Sequence, residues 1–154
     1  MITEIENKIS ELLQEATIDD VDTDVVVDIE DILSDSTEFS DYPRIFLAME
    51  DIVTLQEQVG GARLQKEYTM GIYLMCYNKD KAELVRQRDV IVDRIETALR
   101  SHKRLDNLVD NNSKESVYNS YITSTRVSKT GVSDNYYSVV WIDFRVDTDR
   151  NTLI

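Results

Sequence analysis

"GIYLMCYNKDKAELVRQRDVIVDRI", Gly71 to Ile95, carries two periods in succession. Its first seven residues are almost wholly apolar. After Asn78 the residues are mostly charged, and apolar side chains return every three or four positions. A short apolar run bounded by a break reads as a buried strand, and the following pattern reads as an amphipathic helix. In the strand Met70, Ile72, Leu74 and Cys76 point one way, and Tyr73, Met75 and Tyr77 the other. Asp80 is placed to cap the helix and Glu83 to complete a capping box. The helix is expected to run to about His102, roughly 33 Å at 1.5 Å per residue. Its buried face holds Leu84, Arg88, Ile91, Val92, Ile95, Ala98 and Leu99, and Arg100, Lys103 and Arg104 suit its negative end.

Upstream, "TEIENKISELLQEA" places Ile2, Ile5, Ile9, Leu12, Leu13 and Ala16 on one helical stripe. Thr3 and Glu6 have capping-box spacing, with Ile2 as a staple residue. The acidic segment 19–42 follows, where Val25, Val27 and Ile29 alternate with acids and suggest a short strand. Pro43 enforces an extended approach to a strand at Arg44–Leu55. "QEQVGGARLQ", with Gly60 and Gly61, is a hairpin connection longer than a tight turn, and is expected to project. Downstream, "VYNSYITSTRV" is a third strand, and "SKTGVSDN" turns the chain around Gly131. In the fourth strand Val140, Ile142, Phe144 and Val146 share one face, and Val139, Trp141, Asp143 and Arg145 the other. Residues 149–154 read as a loose tail.

The order helix, strand, strand, helix, strand, strand predicts an α+β fold. One antiparallel or mixed sheet of about four to five strands has helices packed on one face. The 154 residues fit one domain. The helices cover one face only, which leaves Tyr73, Met75, Tyr77, Val139 and Trp141 on the other. Either the sheet curls so that these form a second core, or a second copy of the chain covers them. The second is the expectation, because aromatic faces of this size are rarely left in water and Tyr and Trp favour interfaces.

Charge is uneven. Residues 1–43 hold fourteen acids against Lys8 alone, −13; residues 44–154 hold sixteen acids and sixteen bases. Tight binding to nucleic acid phosphates needs clustered Lys and Arg and is not expected. No apolar run reaches the roughly 18–20 residues of a membrane span, and the acidic N-terminus does not have the pattern of a signal peptide. Asp20, Asp22 and Asp24 have the one-three-five spacing that opens a calcium loop, but Val25 stands where glycine is needed and Asp31 where glutamate is expected. The segment therefore reads as a solvated acidic loop without a metal site. Cys76 reads as a buried inert thiol and His102 as a surface or C-cap residue. No phosphate-binding glycine loop is present, so no catalysis and no cofactor are expected.

Four stretches together resemble the tail terminator and tail-completion proteins of long-tailed bacteriophages, over roughly residues 1–148. They are "ITEIENKISELL", "YPRIFLAMEDI", "QKEYTMGIYLMCYNKDKAELVRQRDVIVDRIETAL", and the late hairpin "SVYNSYITSTRV" with "YYSVVWIDFRVD". The acidic insertion before Pro43 is longer than that family's pattern. The resemblance implies a six-membered ring, assembled in the host cytoplasm, between the tail tube protein and the head-connector protein of the virion neck. It implies that DNA passes through without being read, that the sheet forms the inner wall, and that the long helix packs outside. Asp20, Asp22, Asp24 and Asp28, with the Gly60–Gly61 hairpin, are the expected docking elements for a partner. The alternatives are another neck or connector protein, or a small cytosolic module that dimerises through the aromatic face.

Overall fold

The computed structural model describes residues 1–17, 22–25, 43–57, 63–128, 131–132 and 136–151. Helix α1 is Ile2–Thr17, strand β1 Asp22–Val25, β2 Arg44–Glu57 and β3 Arg63–Asn78. Helix α2 is Lys81–Ser101, β4 Val109–Asp110, β5 Glu115–Val127, β6 Gly131–Val132 and β7 Tyr136–Asn151. One sheet runs β1-β2-β3-β7-β5-β4, and β6 adds to β7. It is mixed, because β1 runs parallel to β2 and every other pairing is antiparallel. The four long strands are those expected from the sequence, and β1, β4 and β6 are short additions. The fold is α+β, as the sequence predicts.

The core lies between the helices and one sheet face. Ile5, Ile9, Leu12 and Leu13 of α1 and Leu84, Ile91, Ile95 and Leu99 of α2 meet Met70, Ile72, Leu74, Val140, Ile142 and Phe144 of the central strands. All are buried, so the period-two faces of β3 and β7 and the helical face of α2 are as the sequence implied. Each such side chain contributes about 1.5–3 kcal/mol by leaving water. Glu115 is buried beneath this layer and satisfied there: Tyr68 Oη donates to it at 2.7 Å and Thr148 Oγ1 at 2.5 Å.

Several local expectations change. β1 starts earlier than the Val25–Ile29 alternation suggested, and its parallel pairing depends on a distant partner, Arg44–Leu47. Thr3 lies inside α1, not at its cap; the chain start is held instead by the Met1 ammonium, 3.1 Å from Glu4 and 3.3 Å from Asp110. Asp80 does cap α2, accepting from Ala82 N at 3.0 Å, but Glu83 turns to Arg86 instead of closing a box. Gly131 pairs with Tyr137 as part of a two-residue strand. β7 continues to Asn151, so residues 149–151 are strand and not a loose tail, and residues 152–154 lie outside the described residues.

After α2 the chain makes one left-handed turn at Arg104, Leu105, Asp106 and Asn107, with φ of 56°, 48°, 57° and 58°. Non-glycine residues rarely take this conformation, which costs roughly 1–2 kcal/mol each. Tertiary contacts hold it: Leu105 is fully buried, and Asp106 binds His102 Nδ1 at 2.9 Å and Lys8 Nζ at 3.0 Å.

Candidate assembly face

The face of the sheet away from the helices carries its own small cluster. Phe46 and Ala48 of β2 stand beside Tyr73 of β3, all three buried, with Met75 and Trp141 packed at its margin. The register explains the grouping: Phe46 pairs with Tyr73, and Tyr73 with Trp141, so three adjacent strands place rings in one row. The Tyr73 and Trp141 ring centroids are 5.2 Å apart and tilted by 36°. Arg126 of β5 lies 3.8 Å above the Trp141 ring, and Arg44 lies 5.2 Å from the Phe46 ring. Such cation–π contacts contribute about 0.5–2 kcal/mol.

A polar rim borders the rings. Tyr73 Oη donates to Glu50 Oε1. Asp143 Oδ2 accepts from Ser124 Oγ at 3.0 Å and from Arg126 Nη2 at 3.3 Å. Glu50 is the extra residue of a bulge, where the β2–β3 register jumps between Met49 and Asp51. The bulge swings its carboxylate over Gly71, where a Cβ would run into Glu50 and stand 2.8 Å from Tyr73 Cε2. Glycine is required there for close packing. Burial raises the Glu50 carboxyl above its ordinary range, and Asp143 adds to the rise against the hydrogen bond from Tyr73. Burial, with Glu50 beside it, likewise raises the Tyr73 hydroxyl.

Of the residues singled out from the sequence, Tyr73 is only 2% exposed, covered by its own chain. Met75, Tyr77, Val139 and Trp141 remain partly exposed on the same side. Asp22 and Asp24 fall in β1, whereas Asp20, Asp28, Gly60 and Gly61 lie outside the described residues. Phe46, Ala48, Glu50, Gly71 and Arg126 escaped sequence reasoning. A signal for the first two existed, since Phe46 and Ala48 alternate with the core residues Ile45 and Leu47. Nothing local marked Glu50, Gly71 or Arg126, because a bulge and a cross-strand ring contact depend on register.

Chemistry that needs a reactive group finds little purchase among the described residues. Cys76 is buried in the core and its thiol is pushed up to about 12, chiefly by burial, so it is neither accessible nor a thiolate. His102 caps α2 and binds Asp106. No group of three His, Cys, Asp or Glu could hold a metal ion, and no helix is long and apolar enough to cross a membrane, both among the described residues.

No family model and no curated protein matches this sequence. Among solved structures, the fold is similar to that of a chain described as "Virion of native gene transfer agent (GTA) particle". The TM-score is 0.58 and the identity 8%, and the match covers 94% of this chain and 94% of that one. At that identity the likeness is one of fold.

Proposed function

We propose that this protein is a structural component of a phage-type virion, and within that class a tail terminator. A single-domain subunit would form a six-membered ring between tail tube and head connector, with DNA passing through unread. The observation that carries a virion role is the end-to-end fold likeness to a chain of a gene transfer agent particle, 94% of both chains. An architecture shared over both whole lengths is more telling than a shared motif, although function remains to be argued from the surface. Here the surface offers assembly rather than chemistry. Met75 and Trp141 pack at the margin of a preformed aromatic cluster, with Tyr73 buried beneath as its support, and Tyr77 and Val139 are partly exposed on the same side. They are the proposed subunit contact. Asp20, Asp22, Asp24 and Asp28, with the Gly60–Gly61 connection, are the proposed docking elements toward tube or connector. No cofactor, metal or catalysis enters this role.

Electron microscopy of the purified protein, alone and mixed with tail tubes, tests the proposal. Six-fold rings seated at one end of a tube are expected. A stable two-fold dimer that ignores tubes would overturn the terminator role and favour a small dimeric module.

A further inference from the structure

The sheet has two open edges. β1 covers β2 only along Arg44–Leu47, so from Ala48 to Glu57 the outer side of β2 has no strand partner among the described residues. On the opposite side β4 covers β5 only at Glu115 and Ser116, and from Asn119 to Val127 the outer side of β5 has no strand partner among the described residues. A bare row of backbone donors and acceptors is a template for another strand. Both edges also expose apolar side chains. Ile52, Val53 and Leu55 are 40–49% exposed on β2, and Tyr118, Tyr121 and Val127 are 37–52% exposed on β5.

The edges match in length. Bulges interrupt β2 on either side of Asp51–Thr54, and β5 on either side of Asn119–Ile122, so each edge offers one regular run of four residues. Such bulges hinder indiscriminate pairing and leave the regular run between them as the stretch that can take a strand. Beside the β5 run lies a groove of about 600 Å³, with Leu99 and Phe144 in its lining and Arg100, Lys103 and Arg104 at the helix end. Arg100 pairs with Glu96 at 3.2 Å, whereas Lys103 and Arg104 have no acidic partner among the described residues.

We infer that β2 of one copy adds to β5 of the next, continuing the sheet from subunit to subunit. Within one chain β3 and β7 separate the two strands, three spacings of about 4.8 Å, so the contact joins two copies. β2 and β5 run in opposite directions, because three antiparallel steps lie between them. A copy rotated about an axis near the strand direction keeps its sense and therefore meets β5 antiparallel. Side-chain faces then set the register. Ile52 shares the helix face with its partner Tyr68, and Ile122 shares it with Phe144. Ile52 beside Ile122 puts an apolar side chain into the groove over Leu99, and puts Val53 beside Tyr121 on the other face. The contact is heterologous, with different surfaces on the two sides, and repetition gives a ring when the rotation closes. This rests on the ring proposed above for its rotation axis and adds a contact at the strand edges to the one proposed for the aromatic face.

Two experiments on the full chain test it. Val53→Cys with Tyr121→Cys in one chain should give, on oxidation, a ladder of disulfide-linked multimers that either single variant does not give; Cys76 is buried and stays silent. Ile52→Asp, which puts a charge into the groove over Leu99, should weaken association at least tenfold by analytical ultracentrifugation. All three positions are exposed, and circular dichroism checks that the variants fold. If the wild type forms rings, yet the cysteine pair does not cross-link and Ile52→Asp associates as the wild type does, the edge contact is overturned while the ring stands. If the wild type stays monomeric at every concentration, alone and on tubes, both fall.

Discussion

Glu50, Gly71 and Tyr73 form one unit: the carboxylate lies where a Gly71 side chain would be, and accepts a hydrogen bond from the Tyr73 hydroxyl. Gly71→Ala should displace the carboxylate and press on the ring. A cost of about 1–3 kcal/mol is expected, the usual range for overpacking, and urea midpoints would measure it. Glu50 itself carries a pH signature. Its carboxyl is raised above the ordinary value of 4.5, so the folded chain holds that proton more tightly than the unfolded chain. The associated stability is fully present below the unfolded value and is lost as pH rises through the folded one. Above that folded value the ionised carboxylate is therefore a modest liability. Glu50→Gln should raise stability there by less than about 1 kcal/mol, since Glu50 is partly exposed and solvent screens it. The gain should vanish toward pH 4. An equal gain at both pH values would show that ionisation is not its source.

At the scale of elements, α2 depends on its cap and α1 on what it meets. Asp80 satisfies the Ala82 amide at the start of α2, so Asp80→Ala should cost about 1 kcal/mol. That is a fall of roughly 2–4 °C in Tm for a chain of this size. The left-handed turn after α2 is held from outside its own sequence, by the buried Leu105 and by the Lys8 and His102 contacts to Asp106. Leu105→Ala removes a fully buried side chain and should cost about 2–5 kcal/mol, more than a surface turn would normally lose. A cost under 0.5 kcal/mol would mean that the turn is not anchored there.

For the whole molecule, the question is what meets the aromatic face. Tyr73 is buried in its own chain, so a charge at position 73 is expected to unfold the subunit and cannot test assembly. Met75 and Trp141 sit at the margin, still partly exposed. Met75→Asp and Trp141→Asp should leave a folded monomer and weaken association; light scattering with an unchanged mass would remove this face from the contact. The acidic excess belongs to the same scale. Residues 44–154 are neutral overall, and surface charge acts over about 8–10 Å at physiological salt. Changing Asp20, Asp22, Asp24 and Asp28 to Asn should keep the ring intact and slow its joining to a basic partner, and the wild-type rate should fall as salt rises. A joining rate indifferent to both salt and substitution would leave these carboxylates without a docking role.

The sequence by itself determined the elements and their faces. Met70, Ile72, Leu74 and Cys76 against Tyr73, Met75 and Tyr77, the helical stripe of α2, and the cap at Asp80 all hold in the structure, because each depends on residues within a turn or two of one another. The tertiary structure alone decided what depends on register. It brought Phe46 and Ala48 beside Tyr73, placed Arg126 over Trp141, and swung Glu50 across Gly71 through a bulge. It also paired the four residues of β1 in parallel with Arg44–Leu47, held a left-handed turn of non-glycine residues, and left β2 and β5 open at opposite edges. Periodicity reports which side of a strand is apolar. Which strand lies alongside, and where the sheet stops, is set by contacts between residues far apart in the chain, and no local pattern encodes them.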